Sequence, residues 1–186
     1  MTRLCLVRHA RTDWNEQGRW QGQSDGLLNA LGWQQVRDLV RELAGEQFEA
    51  VYSSDLRRAR STARAVARLQ HLPVQTDARL REINLGEWEG QLGAEIPLLY
   101  PREWEERQRR PLDSHPPGGE SVLDLAQRAL PFFDEICARH PGGDLLVVSH
   151  GLLLGVYLCH VLRLPLEQSY ARIPENAHPI FVEFGA

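Results

Sequence analysis

Two histidines, His9 and His150, each close an apolar run of the same kind, and both are placed to do chemistry. Leu4 to Val7 is consecutively apolar and switches abruptly to Arg8-His9-Ala10-Arg11-Thr12, while Leu145 to Val148 passes through Ser149 into His150-Gly151. A short apolar run with a sharp polar end reads as a buried strand entering a loop. In open α/β sheets the C-terminal strand edge is where ligands bind, so two imidazoles are delivered to such an edge. Arg8 stands next to one of them. A neighbouring cation disfavours the protonated ring, and the neutral ring is the nucleophile. His71, His115, His140 and His160 have no comparable setting and read as ordinary hydrogen-bonded or solvated residues.

The polar residues expected at strand ends are Arg8, His9, Thr12, Asn15, Ser53, Ser54, Arg58 and His150, with Glu82 and Glu87 arriving from a later segment. Two arginines, two histidines and several amide or hydroxyl donors amount to a phosphate site, because charge-assisted bonds to a dianion contribute about 1.5–3 kcal/mol each. Arg58 falls near a helix N-terminus, where an anion is already favoured. The other arginines between Arg57 and Arg68 read as a solvated helix face.

These residues must be positioned by alternating strands and helices. After the first strand, Asp13 to Asn29 reads as a polar loop. Leu31, Val36, Leu39, Val40 and Leu43 recur at helical spacing from an Asn29 start, with Gly45 as a stop. Ala50 to Tyr52 is a short strand, Leu56 to Leu69 a helix and Val74 to Thr76 a third strand. Leu80 to Pro117 breaks the rhythm with Trp88, Trp104, several Gly and Pro residues and a mixed-charge run; it reads as a lid carrying one helix, about Leu98 to Arg109. Glu120-Ser121 opens a long amphipathic helix to Arg139, in which Pro131 predicts a kink or early break. A strand from Asp144 to Ser149, a helix from Leu152 to Val161 and a strand from Ile180 to Phe184 complete the chain. The expectation is α/β: a single three-layer α/β/α domain over 1–186 with a mostly parallel sheet and a lid inserted at about 83–117.

Composition narrows the function. The 186 residues carry a formal net charge of -4, which speaks against a general nucleic-acid surface. All 21 basic residues are arginine, so any anion site uses Arg and His. Cys5, Cys137 and Cys159 lie in apolar segments without zinc-ligand spacing and read as small buried hydrophobes of a reducing compartment. No apolar run approaches the ~20 residues of a bilayer span and no signal-peptide core begins the chain, so the expectation is a cytoplasmic protein without membrane partners. A homodimer through a sheet edge or helix face is compatible with this reading.

Leu6-Val7-Arg8-His9-Ala10-Arg11-Thr12, followed by Asn15, Gln21-Gly22, Asp25 and Gly32, resembles the signature of the histidine phosphatase superfamily, the phosphoglycerate mutase-like clan. The resemblance continues through Ser53 to Ala63, Leu80-Arg81-Glu82 with Gly86 to Gly90, Gly118 to Ser121 and Val148 to Gly151. Ala10 stands where members usually have Gly and Asn29 where Thr is common, which implies tuned geometry rather than lost function. The resemblance implies that His9 attacks phosphorus and becomes a phosphohistidine, while Arg8, Arg58 and His150 hold the phosphoryl oxygens. It adds Asn15, Gln21, Gly22 and Gly151 as phosphate-binding positions. By residue type Glu82, Glu87 and Glu89 are equally eligible as the acid; the resemblance selects Glu82. No metal and no cofactor are implied. The short chain and its PPGGES segment resemble the α-ribazole phosphatase and broad-specificity phosphoglycerate phosphatase-like group, whose substrates are small phosphorylated metabolites such as α-ribazole 5'-phosphate. A phosphoglycerate mutase and a non-catalytic phospholigand-binding module are the alternatives. Phosphate release from p-nitrophenyl phosphate is expected to survive exhaustive EDTA treatment; activity that vanishes and returns only with a divalent ion would show the site to be of another kind.

Overall fold

The computed structural model describes residues 1–184. Five strands, β1 (Thr2–Arg8), β2 (Ala50–Ser53), β3 (Val74–Thr76), β4 (Asp144–Ser149) and β5 (Pro179–Phe184), form one sheet in the order β3-β2-β4-β1-β5. Every pairing is parallel except β1 with β5, which is antiparallel and closes one edge. The alternation of β1 assigns its side chains to two cores. Leu4 and Leu6 face one layer with Tyr52, Leu145 and Val147, whereas Cys5 and Val7 face the other with Val51, Leu146 and Val148.

Helices α2 (Ala30–Glu42) and α3 (Arg57–Leu69) cover the second face through Val36, Leu39, Ala59, Ala63 and Val66. The first face is covered by α6 (Val122–Arg139) and α7 (Gly151–Val161) through Leu125, Ala129, Phe133 and Leu153, with Phe133 stacked on Tyr157 at 3.6 Å. The three layers expected from the sequence are therefore present. All three cysteines are free and buried, and burial pushes the Cys5 thiol up to about 12. Among the described residues no helix is long and apolar enough to cross a membrane.

Four local readings require correction. The segment after β1 is not all loop: α1 (Asp13–Gln17) forms there, opened by a capping box in which Thr12 and Asn15 satisfy each other's backbone N–H groups. It is too short to show apolar periodicity, and only the Thr-x-x-Asn spacing signals it. The lid carries two helices, α4 (Ile96–Leu99) and α5 (Pro101–Arg109), because Pro101 bars Tyr100 from helical geometry and leaves it at φ -131, ψ 59. At the base of this segment Trp88 and Ile96 are fully buried in the first-face core. A 3-10 segment at Leu166–Arg172, unannounced by any pattern, packs on α7, where Gly155 admits the close approach of the Ser169 carbonyl.

The fourth correction is Pro131. Helix α6 runs unbroken through it for 18 residues. Its apolar face is long enough that packing outweighs the lost backbone hydrogen bond, and the proline ring itself is exposed. Pro131→Ala is therefore expected to stabilise the protein by about 1–2 kcal/mol, the restored helical bond less the unfolded chain's gain in freedom. A urea midpoint equal to or below wild type would show that α6 has already absorbed the cost.

Candidate active site

The register between β1 and β4 builds the centre of the site. Arg8 pairs with Ser149, and the His9 amide donates to the Ser149 carbonyl at 2.9 Å, so the next residues on the two strands, His9 and His150, lie side by side. Their ring centroids are 5.2 Å apart in an edge-to-face arrangement. Both rings are buried, at 3% and 0% exposure. His150 also caps α7 with extended backbone.

The tautomer of His9 follows from its contacts. Nδ1 lies 2.8 Å from the Ala10 carbonyl, which can only accept, so Nδ1 carries the proton and Nε2 keeps a lone pair. Arg58 Nε donates to that Nε2 at 3.2 Å. Burial, and then the charges of Arg58 and Arg8, hold the His9 pKa well below its usual value; burial followed by Arg58, His9 and Arg8 does the same for His150. Ala10 takes no left-handed backbone, which explains why a side chain is tolerated there, and Asn29 caps α2 by accepting from the Gly32 amide at 2.8 Å.

Arg58 is nearly inaccessible, with burial bringing its pKa down to about 10, so it remains charged at neutral pH. Its terminal nitrogens donate to the Gly22 carbonyl at 2.7 Å and the Ser24 carbonyl at 2.6 Å. Gly22 has φ +51, a geometry that suits glycine and turns its carbonyl toward the guanidinium. Arg8 donates to the Pro174 carbonyl at 3.0 Å, while its buried Nε has no partner among the described residues. Both ring nitrogens of His150 are likewise unpartnered. Gly151 makes room for Arg8: a Cβ there would lie 3.2 Å from Arg8 Nε. Buried donors of this kind want an acceptor, and a phosphoryl group supplies three.

The fold sets the three glutamates in different surroundings. Glu82 lines the cavity, its Oε1 accepting from the Ile83 and Leu153 amides at 3.0 and 3.2 Å and its Oε2 from the Leu152 amide at 3.1 Å. Three of about four lone-pair positions are thus occupied by backbone, and one is left for a proton or substrate. Glu87 is exposed and outside the cavity lining. Glu89 accepts from Gln23, Ser24 and Leu85 and braces the loop beneath Arg58. Ser53 and Ser54 also drop out: Ser53 Oγ donates to the Ser54 carbonyl, and Ser54 Oγ accepts from the Leu56 amide.

One cavity of about 280 Å³ collects Arg8, His9, Asn15, Gln21, Gly22, Arg58, Glu82 and Gly151; His150 is fully buried outside this lining, edge-to-face with the His9 ring. Asn15 Oδ1 is used in the α1 cap, which leaves its amide donors free. Sequence reasoning missed Arg19, Trp20 and Tyr170, which line the same cavity, as does Arg107 from the mixed-charge run of the lid. It also missed Arg128, whose guanidinium donates to the carbonyls of Arg79, Arg81 and Glu82 and pairs with Glu120 at 2.8 Å, fixing the segment that carries Glu82. Glu120 is that partner and accepts from the Asn84 amide as well. Among the described residues no group of three or more His, Cys, Asp or Glu could hold a metal ion.

A family model described as the histidine phosphatase superfamily (branch 1) matches residues 4–186. Phosphoserine phosphatase 1 of Hydrogenobacter thermophilus is 34% identical over 177 residues, covering 95% of this chain and 84% of the relative. A probable phosphoglycerate mutase of Serratia proteamaculans is 36% identical over 168 residues, covering 89% of this chain and 77% of that one. The crystal structure of the alpha-ribazole phosphatase from Shigella flexneri superposes with a TM-score of 0.91 at 25% identity, covering 98% and 91% of the two chains.

The buried imidazoles carry a consequence for stability. A ring whose folded pKa is depressed takes up its proton only on unfolding, so its contribution is fully present above about pH 6.5 and is lost as pH falls below that value. Each such ring steepens the decline by ~1.4 kcal/mol per pH unit. In urea melts between about pH 7 and 5, His150→Asn is expected to remove one ring's share of the slope. A slope equal to wild type would mean that His150 is protonated within the fold.

Proposed function

The chain belongs to the histidine phosphatase superfamily and is an enzyme that hydrolyses phosphate esters, and we propose that it acts on a small phosphorylated metabolite through a phosphohistidine formed on His9. The observation that carries this reading is the His9 ring itself: Nδ1 tied to the Ala10 carbonyl, Nε2 bearing the lone pair and accepting from Arg58, and His150 edge-to-face with the ring.

In this mechanism the phosphoryl group sits among Arg8, Arg58 and His150, whose donors are fixed before substrate arrives and need no reorganisation as charge shifts. His9 Nε2 attacks phosphorus opposite the ester oxygen. The N–P bond forms, the P–O ester bond breaks, and protonated Glu82 gives its proton to the departing alkoxide. Hydrogen bonding of Nδ1–H to the Ala10 carbonyl supports the positive charge on the phosphorylated ring. Water then attacks phosphorus, Glu82 as carboxylate takes the water's proton, and the N–P bond breaks to return neutral His9. Backbone amides of α7 hold Glu82 at the cavity wall in both half-reactions.

The narrower reading, α-ribazole 5'-phosphate, has behind it the likeness to the Shigella enzyme. Phosphate release from this ester, p-nitrophenyl phosphate and phosphoglycerates, beside an assay for phosphoglycerate isomerisation, separates phosphatase from mutase and binding module. The mechanism has a sharper test. Rapid quench should trap protein-bound phosphate that is stable to base, labile to acid and absent in His9→Ala; undiminished turnover in that variant would sink the proposal. In single-turnover phosphorylation, Glu82→Gln should slow an alkyl phosphate by about 10²–10⁴-fold and p-nitrophenyl phosphate far less, because the phenolate departs without a proton. Equal losses for the two would take the acid's role from Glu82.

A further inference from the structure

Glu89 lines no part of the cavity, yet three neutral donors converge on its half-buried carboxylate. Oε1 accepts from the Gln23 amide at 2.7 Å and the Leu85 amide at 3.2 Å, and Oε2 accepts from the Ser24 hydroxyl at 2.6 Å. None of the ion pairs among the described residues includes it.

Two of these donors belong to groups whose other ends grip Arg58. The Gly22 carbonyl and the Gln23 N–H are opposite ends of one planar trans peptide. The carbonyl accepts from Arg58 Nη2 at 2.7 Å, and the N–H donates to Glu89. Ser24 repeats the arrangement: its hydroxyl donates to Glu89 while its carbonyl accepts from Arg58 Nη1 at 2.6 Å. The third edge of the guanidinium, Nε, is the one that donates to His9 Nε2 at 3.2 Å. A carboxylate at one end of a peptide and a guanidinium at the other polarise it in the same sense, so each bond strengthens the other. A flipped peptide would turn its N–H toward the cation and its carbonyl toward the carboxylate, which is unfavourable at both ends. The approach is close enough that a Cβ on Gly22 would strike the Glu89 carboxylate. Asp25, the other acid on this loop, pairs with Arg57 at the exposed surface, where solvent screens it.

We infer that Glu89 is a positioning residue for Arg58: through the Gly22–Gln23 peptide and through Ser24 it fixes the guanidinium fork against His9. The brace stands on these contacts, and its effect on turnover rests on the phosphatase reading.

The test has a kinetic and a spectroscopic arm. For p-nitrophenyl phosphate, kcat/KM reports events up to phosphorylation of the enzyme and needs little proton donation from Glu82, so it isolates the route through Arg58. Glu89→Ala is expected to lower it by about 10- to 100-fold, the usual cost of removing an outer partner that orients a site group. Glu89→Gln keeps both amides on its carbonyl and can donate to the Ser24 hydroxyl, so its loss should be several-fold. In the Arg58→Ala background both losses should shrink to within about twofold, because the group they act through is already gone. The second arm needs no substrate. The Arg58 Nε–H resonance, identified by its absence from Arg58→Ala, should exchange with solvent faster in Glu89→Gln and faster still in Glu89→Ala. A residue that merely stabilises the fold would move the urea midpoint and leave that resonance as it is. Losses of equal size with and without Arg58, or an Arg58 resonance unchanged in both Glu89 variants, would overturn the brace. If Glu89→Ala does not fold, Glu89→Gln decides on the same criteria; if Arg58→Ala has no measurable turnover, the resonance decides. A resonance that moves while turnover stays at the wild-type level would leave the brace standing and take Arg58 out of the phosphoryl site.

Discussion

One hydrogen bond, from the His9 amide to the Ser149 carbonyl, sets the geometry on which the rest of the site depends. It continues the parallel ladder of β1 and β4 one residue past their ends, so two segments that diverge afterwards, a loop after β1 and helix α7 after β4, leave the sheet with His9 and His150 side by side. A slip of one residue would turn one imidazole onto the opposite face, because side chains alternate along a strand. The buried faces of β1, with Leu4 and Leu6 in one core and Cys5 and Val7 in the other, make such a slip costly. Register is thus held by apolar packing on both sides of the sheet, and the chemistry inherits its precision.

Around that pair the protein has buried charge of one sign. Arg8 and Arg58 are withdrawn from water beside two rings that are kept neutral, and the carbonyls of Gly22, Ser24 and Pro174 take up part of their donor capacity. Neutral carbonyls satisfy hydrogen bonds without cancelling charge. The positive potential is therefore preserved for a ligand, and low local polarisability makes each contact count for more than it would in water. Glu82 sits at the boundary of this region, secured through its side chain by α7 and through its backbone by Arg128 and Gln23.

The lid is tied to the site by a shared aromatic group. Trp88 anchors it in the main core, and Trp20, Trp104 and Tyr100 gather around Trp88 at centroid distances of 5.6 to 6.2 Å. Arg107 enters this aromatic group from α5 while Tyr170 reaches it from the 3-10 segment on α7. Three stretches distant in sequence thereby share the lining of one cavity.

The sequence by itself determined the layers, the strand ends and the reactive inventory. Strict local signals carry these: apolar runs ending in Arg8-His9 and Ser149-His150, helical spacing from Asn29, and capping residues such as Ser121. It could not tell where Glu82, Glu87 and Glu89 would lie, because the placement of a carboxylate follows from long-range contacts. Amides some 70 residues away in α7 hold the Glu82 carboxylate at the cavity wall. Nor could it distinguish Arg107 from Arg109, two positions apart on one short helix; only the packing of α5 against Trp20 and Tyr170 buries the first and leaves the second exposed. Pro131 failed as a helix breaker for the same reason, since the apolar face of α6 gains more from the core than one missing amide takes away. Periodicity and capping are properties of neighbouring residues and can be read along the chain, whereas burial, partnership and the sharing of a cavity are long-range outcomes that exist only once the layers have packed.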